Sequence, residues 1–359
     1  MQTSLEHSAQ QAIHWIRRYS DLVTSAPVDQ VRLVDCWQRH YSQLFLLELE
    51  AKNQRHRIIC KRLLHQPDNE IFYHDGSDPL AREFEILASI TASIGESPVK
   101  CSVPKPLFVV PEEQSIYMEF VEGTELDAMM RHLRHFSSRS TFLQLGQAYM
   151  RVGEWLRHFQ TMTSVTNANA EALNQLRSHV RHRLNLIDTY RDHRLPSDLS
   201  VVVMSKLDEL QRRVEMPVQL AGCHGDFGPW NIITQDSKIT VLDFFSYRRD
   251  FIGIDVLNVL INLENQNVAP SFSGRRIQRL KQAFLDGYQI SELIDPSALL
   301  MAEMLQRVCA VHGSLINRNS YFRQRMRSSR ILSRSLQRLT APLPVWTSLR
   351  RSQRRFIES

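Results

Sequence analysis

No stretch of this chain approaches the roughly 20 consecutive apolar residues that a membrane-spanning helix requires. Runs such as Leu44 to Leu47 and Val201 to Met204 end after a few residues, so no transmembrane segment is expected. The first eight residues contain Glu6 and neither Lys nor Arg, and no apolar stretch follows them. That pattern predicts no secretory signal. Cysteines are few and scattered: Cys36, Cys60, Cys101, Cys223 and Cys309 form no Cys-x-x-Cys pair. An odd, dispersed set argues against a disulfide framework and fits a reducing, cytoplasmic setting, with the thiols acting as small buried hydrophobes. His132 with His135, and His179 with His182, have His-x-x-His spacing but no neighbouring Cys or acid pair. They predict solvated helix faces rather than a zinc site. Gly-x-Ser-x-Gly and glycine-rich Walker segments are absent, as are repeats and low-complexity tracts.

What is present is a chain of 359 residues, too long for one small core, which predicts one bilobal unit or two domains. With 43% hydrophobic and 23% charged residues, the composition is that of a soluble globular protein. The net charge of +6 is uneven. From Arg318 to Ser359 eleven arginines face only Glu358, a charge of +10, so the other 317 residues carry −4. The basic balance belongs to the tail, which argues against a nucleic-acid-binding body.

Periodicity orders the elements. Residues 5 to 24 predict an amphipathic helix with Ile13, Trp15, Ile16, Tyr19 and Leu22 as contacts, ended by Pro27. Leu44 to Glu50 and Ile58 to Lys61, separated by the polar turn Ala51 to Arg55, predict an antiparallel hairpin. Pro79 to Ile94 reads as a helix with Phe84, Leu87 and Ile90 inward, and Pro98, Pro104 and Pro106 bar its continuation. Leu107 to Val110 and Ser115 to Phe120 read as two more strands. Beyond Gly123 the pattern is mainly helical, with Ala148 to Phe159, Ala172 to Asp192 and Ser200 to Val214 as segments and 161 to 170 as a loop. Val218 to Cys223, Ile232-Ile233 and Ile239 to Asp243 form a small β unit before helices resume at Asp255.

That β unit carries the chemistry. Residues 224 to 231 read His-Gly-Asp-Phe-Gly-Pro-Trp-Asn, and Leu242-Asp243-Phe244 follows. Two short turns thus present the carboxylate of Asp226, the amide of Asn231 and the carboxylate of Asp243. Phosphoryl transfer from a magnesium nucleotide needs that set: one oxygen to orient a hydroxyl and accept its proton, and others to hold hard cations.

The motif order resembles the aminoglycoside phosphotransferase and choline kinase branch of the protein-kinase-like superfamily over roughly residues 30 to 290. His-Gly-Asp in place of His-Arg-Asp is similar to the small-molecule branch. The resemblance implies an α+β, protein-kinase-like bilobal fold with a small antiparallel β N-lobe and a larger, mainly α-helical C-lobe. It implies a nucleotide-binding lobe over 1–120 with the N-terminal helix, a helical lobe with catalytic loop and metal site over 121–317, and an Arg-rich helix or tail over 318–359. Asp226 becomes the catalytic base, and Asn231 and Asp243 become ligands of Mg²⁺. His224 becomes a structural residue, as does Asp255, which begins a helix and braces the catalytic loop through backbone N–H groups. Lys61 corresponds to the strand lysine on the α- and β-phosphates of ATP, with GTP as an alternative donor. Its helical partner is Glu83, with Glu85 as the fallback. Tyr117 to Leu126 resembles the hinge, where the Glu119 carbonyl and the Val121 N–H read adenine between neighbours such as Ile59 and Met118.

Two departures stand out. The loop that covers the phosphates is glycine-rich in protein kinases, but here Cys36 to Gln43 contains no glycine, leaving Arg39, Ser42 and backbone N–H groups for phosphate. Asp243-Phe244-Phe245 stands where Asp-Phe-Gly is usual. The implied activity is ATP- and Mg²⁺-dependent transfer to a hydroxyl of a small molecule: a sugar, an aminoglycoside-like compound or an amino alcohol. The alternatives are a pseudokinase-like binding module and a kinase of a protein or lipid-linked glycan. Arg323, Arg327, Arg330, Arg334 and Arg338 form one helical stripe, with Leu332, Leu336 and Leu339 on another face. It reads as a packed terminal helix with a solvated Arg face, or as a contact for an anionic surface or acidic partner.

Overall fold

A computed structural model describes residues 2–39, 42–64, 78–94, 101–135, 138–163, 166–167, 169–190, 192–266, 272–289, 294–316 and 322–342. The elements begin with α1 (Gln2–Arg18), β1 (Gln30–Gln38), β2 (Ser42–Ala51), β3 (Gln54–Leu63), α2 (Pro79–Ile94), β4 (Cys101–Ser102), β5 (Pro106–Val110), β6 (Ser115–Glu119) and β7 (Thr124–Glu125). There follow α3 (Leu126–His135), α4 (Arg139–Met162), β8 (Thr166–Asn167), α5 (Asn169–Asp188), α6 (Leu199–Arg212), β9 (Gln219–Cys223), β10 (Ile232–Gln235), β11 (Lys238–Val241) and β12 (Arg248–Phe251). The chain continues with α7 (Gly253–Asn265), α8 (Gly274–Tyr288), α9 (Pro296–Ile316) and α10 (Phe322–Thr340). These form two compact units: Met1–Thr124 with Asn231–Ser246, and Glu125–Trp230 with Tyr247–Ser359.

The first unit is built on an antiparallel sheet in the order β1-β2-β3-β6-β5. The expected hairpin turn narrows to Lys52 and Asn53, both at positive φ (44° and 66°). Two left-handed residues match the right-handed twist of the flanking strands. Because side chains alternate across a strand, register sorts the sheet into two faces. One face carries Phe45, Leu47, Leu49, Ile58, Cys60 and Tyr117, packed against Ala9, Ala12 and Ile16 of α1. Helix α1 ends at Arg18 and gives way to a 3₁₀ turn over Ser20–Leu22, which leaves Leu22 half exposed instead of in the core. Lys61 lies on the other face, where Trp37 pairs with Leu44, Leu44 with Lys61, and Lys61 with Ile116. One row along that face, Leu46 pairs with Ile59 and Ile59 with Met118.

Helix α2 starts where Asp78 Oδ1 accepts the Leu80 N–H at 2.9 Å, with Pro79 as its first residue. A side-chain acceptor and a proline that lacks the unneeded N–H both favour that start. Leu87 and Ile90 are buried, and Phe84 is half-buried. A second sheet joins β4, β11 and β10, so residues 231–246 pack with this unit although they lie more than a hundred residues beyond it in sequence.

In the second unit α4 and α8 cross closely. A Cβ at Gly287 would lie 1.8 Å from the Met150 carbonyl oxygen, and one at Gly153 would lie 2.1 Å from the Phe284 carbonyl oxygen. The small sheet β12-β9-β8 includes a strand the sequence concealed. Arg248-Arg249-Asp250 looks like a polar loop, yet Asp250 is fully buried and accepts from Arg248 Nε at 2.7 Å. Among the described residues α9 alone is long and apolar enough to cross a membrane, although the sequence shows no long uncharged run. It is a mostly buried core helix: Met301, Ala302, Val308 and Val311 are sealed in, and its Arg307 is bonded to Glu303. Helix α10 packs through Leu332 and Leu339, while Arg334 Nη1 donates to the Glu264 carbonyl at 2.7 Å and Arg338 lies 3.7 Å from the Glu264 carboxylate. The side chains of Arg323 and Arg327, and residues 343–359 of the tail, lie outside the described residues.

Candidate active site

Strand β3 delivers Lys61 to the sheet face opposite α1, and α2 delivers Glu83. Lys61 Nζ donates to both oxygens of Glu83, at 2.9 and 2.8 Å, and to Asp243 Oδ1 at 2.6 Å. Glu85, two residues along α2, is exposed. Burial by itself would push the Lys61 ammonium down, but the charges of Asp243 and Glu83 outweigh it and hold the group above its ordinary value. Burial raises the Glu83 carboxyl, and the neighbouring Lys61 opposes that rise. Glu83 also accepts the Phe244 backbone N–H at 3.2 Å. One buried carboxylate therefore ties the lysine strand to the segment that carries Asp243. The ring of Phe245 lies 5.5 Å from Lys61 Nζ, within cation–π range.

Asn231 and Asp243 sit at the same end of the β10–β11 hairpin. Ile232 pairs with Val241, and the Leu242 N–H donates to the Asn231 carbonyl at 2.8 Å. Asp243 has φ +65°, a left-handed conformation rare outside glycine but tolerated best by Asn and Asp. Its side chain is 45% exposed, whereas those of Lys61 and Glu83 are buried, so part of the carboxylate faces solvent. Among the described residues no three His, Cys, Asp or Glu side chains cluster as a metal cage. One carboxylate and one amide suit a cation that takes its other ligands from phosphates and water, as Mg²⁺ does.

The His224–Asn231 loop is held from beneath by Asp255 on α7. Asp255 Oδ2 accepts the His224 N–H at 2.7 Å and Oδ1 accepts the Gly225 N–H at 3.0 Å. Gly225 has φ +82°, which lets consecutive N–H groups face one carboxylate. Burial raises the Asp255 carboxyl, and the proximity of His224 and the two N–H bonds oppose that rise. The buried His224 ring accepts the Asp226 N–H at Nδ1, 3.3 Å away. Phe227 is fully buried and stacks on Trp155 of α4 with ring centres 5.7 Å apart. Asp226 follows this anchored core, and its Oδ2 accepts the Trp230 indole N–H at 3.1 Å.

Glu119 and Val121 line a cavity of about 400 Å³ with Ser102, Lys105, Lys238 and Thr240. Its lining does not include Lys61, Glu83 or Asp243. The Glu119 N–H is engaged by the Lys105 carbonyl at 2.9 Å. Ser42 is buried at the start of β2, two residues before Leu44 and on the Lys61 face. Its carbonyl accepts the Arg39 N–H at 2.7 Å; His40 and Tyr41 of the same loop lie outside the described residues. The structure thus joins Lys61, Glu83 and Asp243 in one cluster and His224, Asp226 and Asp255 in another. Sequence reasoning passed over Trp230, Phe245 and the Phe244 N–H. The last is a backbone group and leaves no sequence signal, whereas the tryptophan stood inside the motif.

Residues 49–300 match the sequence profile of the phosphotransferase enzyme family (APH). No curated protein sequence matches the chain. Among solved structures, the chain is similar to a choline/ethanolamine kinase family protein from Mesorhizobium loti, with TM-score 0.55 and 13% identity over 100% of both chains. It is similar to choline kinase from Cryptosporidium parvum Iowa II, with TM-score 0.57 and 11% identity over 98% of this chain and 99% of that one. It is also similar to amicoumacin kinase hAmiN, solved with AMP-PNP, Ca²⁺ and Ami, with TM-score 0.55 and 14% identity over 95% and 96% of the two chains. At such identities these likenesses establish the α+β, kinase-like fold, and the profile match over most of the chain establishes the family. The chain belongs to the phosphotransferase enzyme family and is a phosphotransferase.

Proposed function

We propose that the chain transfers the γ-phosphate of ATP, with Mg²⁺, to a hydroxyl of a small molecule: a sugar, an aminoglycoside-like compound or an amino alcohol. The observation that carries this reading is the buried Lys61–Glu83 pair with Lys61 bonded to Asp243, in a member of a phosphotransferase family. Lys61, fixed by Glu83, places the phosphates. Asp243 and Asn231 hold the cation, which when bound neutralises charge on the transferring phosphate. Asp226 orients the acceptor hydroxyl and takes its proton, a contribution of about 10²–10⁴ in rate. His224 and Asp255 keep the Asp226 loop in shape. Glu119 and Val121 read the base through backbone groups, and Ser42 is the phosphate contact in the glycine-free loop. GTP is the alternative donor. The decisive experiment is phosphate transfer from MgATP to a panel of hydroxyl compounds by wild type and Asp226→Asn. Loss of transfer in the variant is expected, and equal activity in both refutes the role of Asp226.

A second reading, a pseudokinase-like binding or scaffold module, is favoured by the turn between β1 and β2, which lacks glycine and whose strands stay paired out to Gln38 and Gln43. No thermal shift with saturating MgATP would support it over the first.

A further inference from the structure

We propose that Trp230 is a positioning residue for Asp226, an inference that rests on the reading of Asp226 as the base facing the acceptor. The indole Nε1–H donates to Asp226 Oδ2 at 3.1 Å. An indole nitrogen only donates, so the contact rewards the ionised carboxylate and restrains its rotation. Burial does not hold the ring in place, since Trp230 is 39% exposed. The local chain holds it. Gly228 N–H closes a turn on the Asp226 carbonyl at 2.8 Å, and Pro229–Asn231 forms a 3₁₀ turn that carries the tryptophan back over the loop. The ring rests directly on Gly228, where a Cβ would meet three indole atoms at 2.3, 2.5 and 2.7 Å. A residue of any other type at 228 would displace it. Gly228, Pro229 and Trp230 thus form one device that brings a donor back to the carboxylate four residues earlier, while the buried Phe227 anchors the loop from the other side.

The test uses the full chain labelled with ¹⁵N-tryptophan, together with MgATP hydrolysis followed by phosphate release. The indole signal lost in Trp230→Phe identifies Trp230. Asp226→Asn, which weakens the acceptor, is expected to move that signal, and Gly228→Ala is expected to move it as well. A Trp230 signal unmoved by Asp226→Asn overturns the inference. In the kinetic arm, Trp230→Phe is expected to lower kcat about tenfold, the scale of one hydrogen bond to a charged group, with KM for MgATP within about twofold. On an Asp226→Asn background the same change is expected to have no further effect. Wild-type kcat in Trp230→Phe, or an equal loss on both backgrounds, overturns the inference while leaving the base assignment intact. Full turnover by Asp226→Asn instead removes that assignment, a separate and distinguishable failure.

Discussion

Lys61 Nζ and Asp243 Oδ1 lie 2.6 Å apart although 182 residues separate them in sequence. The carboxylate reaches the lysine from a backbone at φ +65°. Such a conformation costs of order 1–3 kcal/mol and persists only where its surroundings hold it. Here the holding contacts are Lys61 itself and the Phe244 N–H bond to Glu83.

Removing Lys61 leaves Glu83, which is fully buried, without its cation. Lys61→Met is expected to lower unfolding free energy by about 3–5 kcal/mol, the scale of a broken buried pair. Lys61→Met with Glu83→Leu should recover most of that loss while remaining inactive. Urea titration of the two variants distinguishes them, and an unchanged midpoint in Lys61→Met would contradict the buried-pair account.

The α4–α8 crossing makes a prediction independent of function. Gly287→Ala places a Cβ 1.8 Å from backbone at Met150, and neither helix can yield locally. A loss of ~3 kcal/mol or failure to accumulate as folded protein is expected. Gly146→Ala, on the same α4 with nothing within 4 Å of the added Cβ, is the control and should be neutral or slightly stabilising. Equal melting temperatures for the two would sink the close-approach argument.

Asp255→Ala removes the acceptor of two consecutive N–H groups, on the buried His224 and on Gly225. Each orphaned donor costs about 1–3 kcal/mol. Amide hydrogen exchange at residues 224 and 225 should accelerate well beyond the change at α5, and turnover should fall because the Asp226 loop loses its brace. Uniform acceleration across the unit would instead indicate a general loss of stability.

Glu264 yields a pH prediction. Burial would raise its carboxyl, but Arg307, Lys281 and Arg338 outweigh burial and hold it below its ordinary value of 4.5. A depressed carboxyl contributes stability that is present above 4.5 and lost as pH falls through the folded-state value. Glu264→Gln should therefore melt below wild type at pH 7, with the gap closing as the pH falls below 4.5. A gap that stays constant down to acid pH would argue for packing rather than charge.

Local patterns in the sequence revealed much of this molecule. Alternation at the end of Leu44 to Glu50 located β2, the short apolar run closed by Lys61 located β3, and a proline start with apolar spacing located α2 over its full length. The charged strand β12 stayed hidden because Arg248 and Asp250 neutralise one another in a buried place, and no local pattern reports that. Helices were expected beyond Asp255, but the apolar length of α9 went unread, because Glu303 and Arg307 interrupt its apolar run and the pair is concealed only by packing.

By itself, the sequence determined the chemistry available: a carboxylate, an amide and a second carboxylate in fixed order, behind a lysine strand and a glutamate helix. It could do so because residue type and spacing are local properties. Only the tertiary structure decided that Glu83 and not Glu85 meets Lys61, that Asp243 bends into the left-handed region to reach it, and that Trp230 turns back onto Asp226. Those choices depend on the direction of side chains and backbone once distant segments are packed together, and direction is set by packing, not by composition.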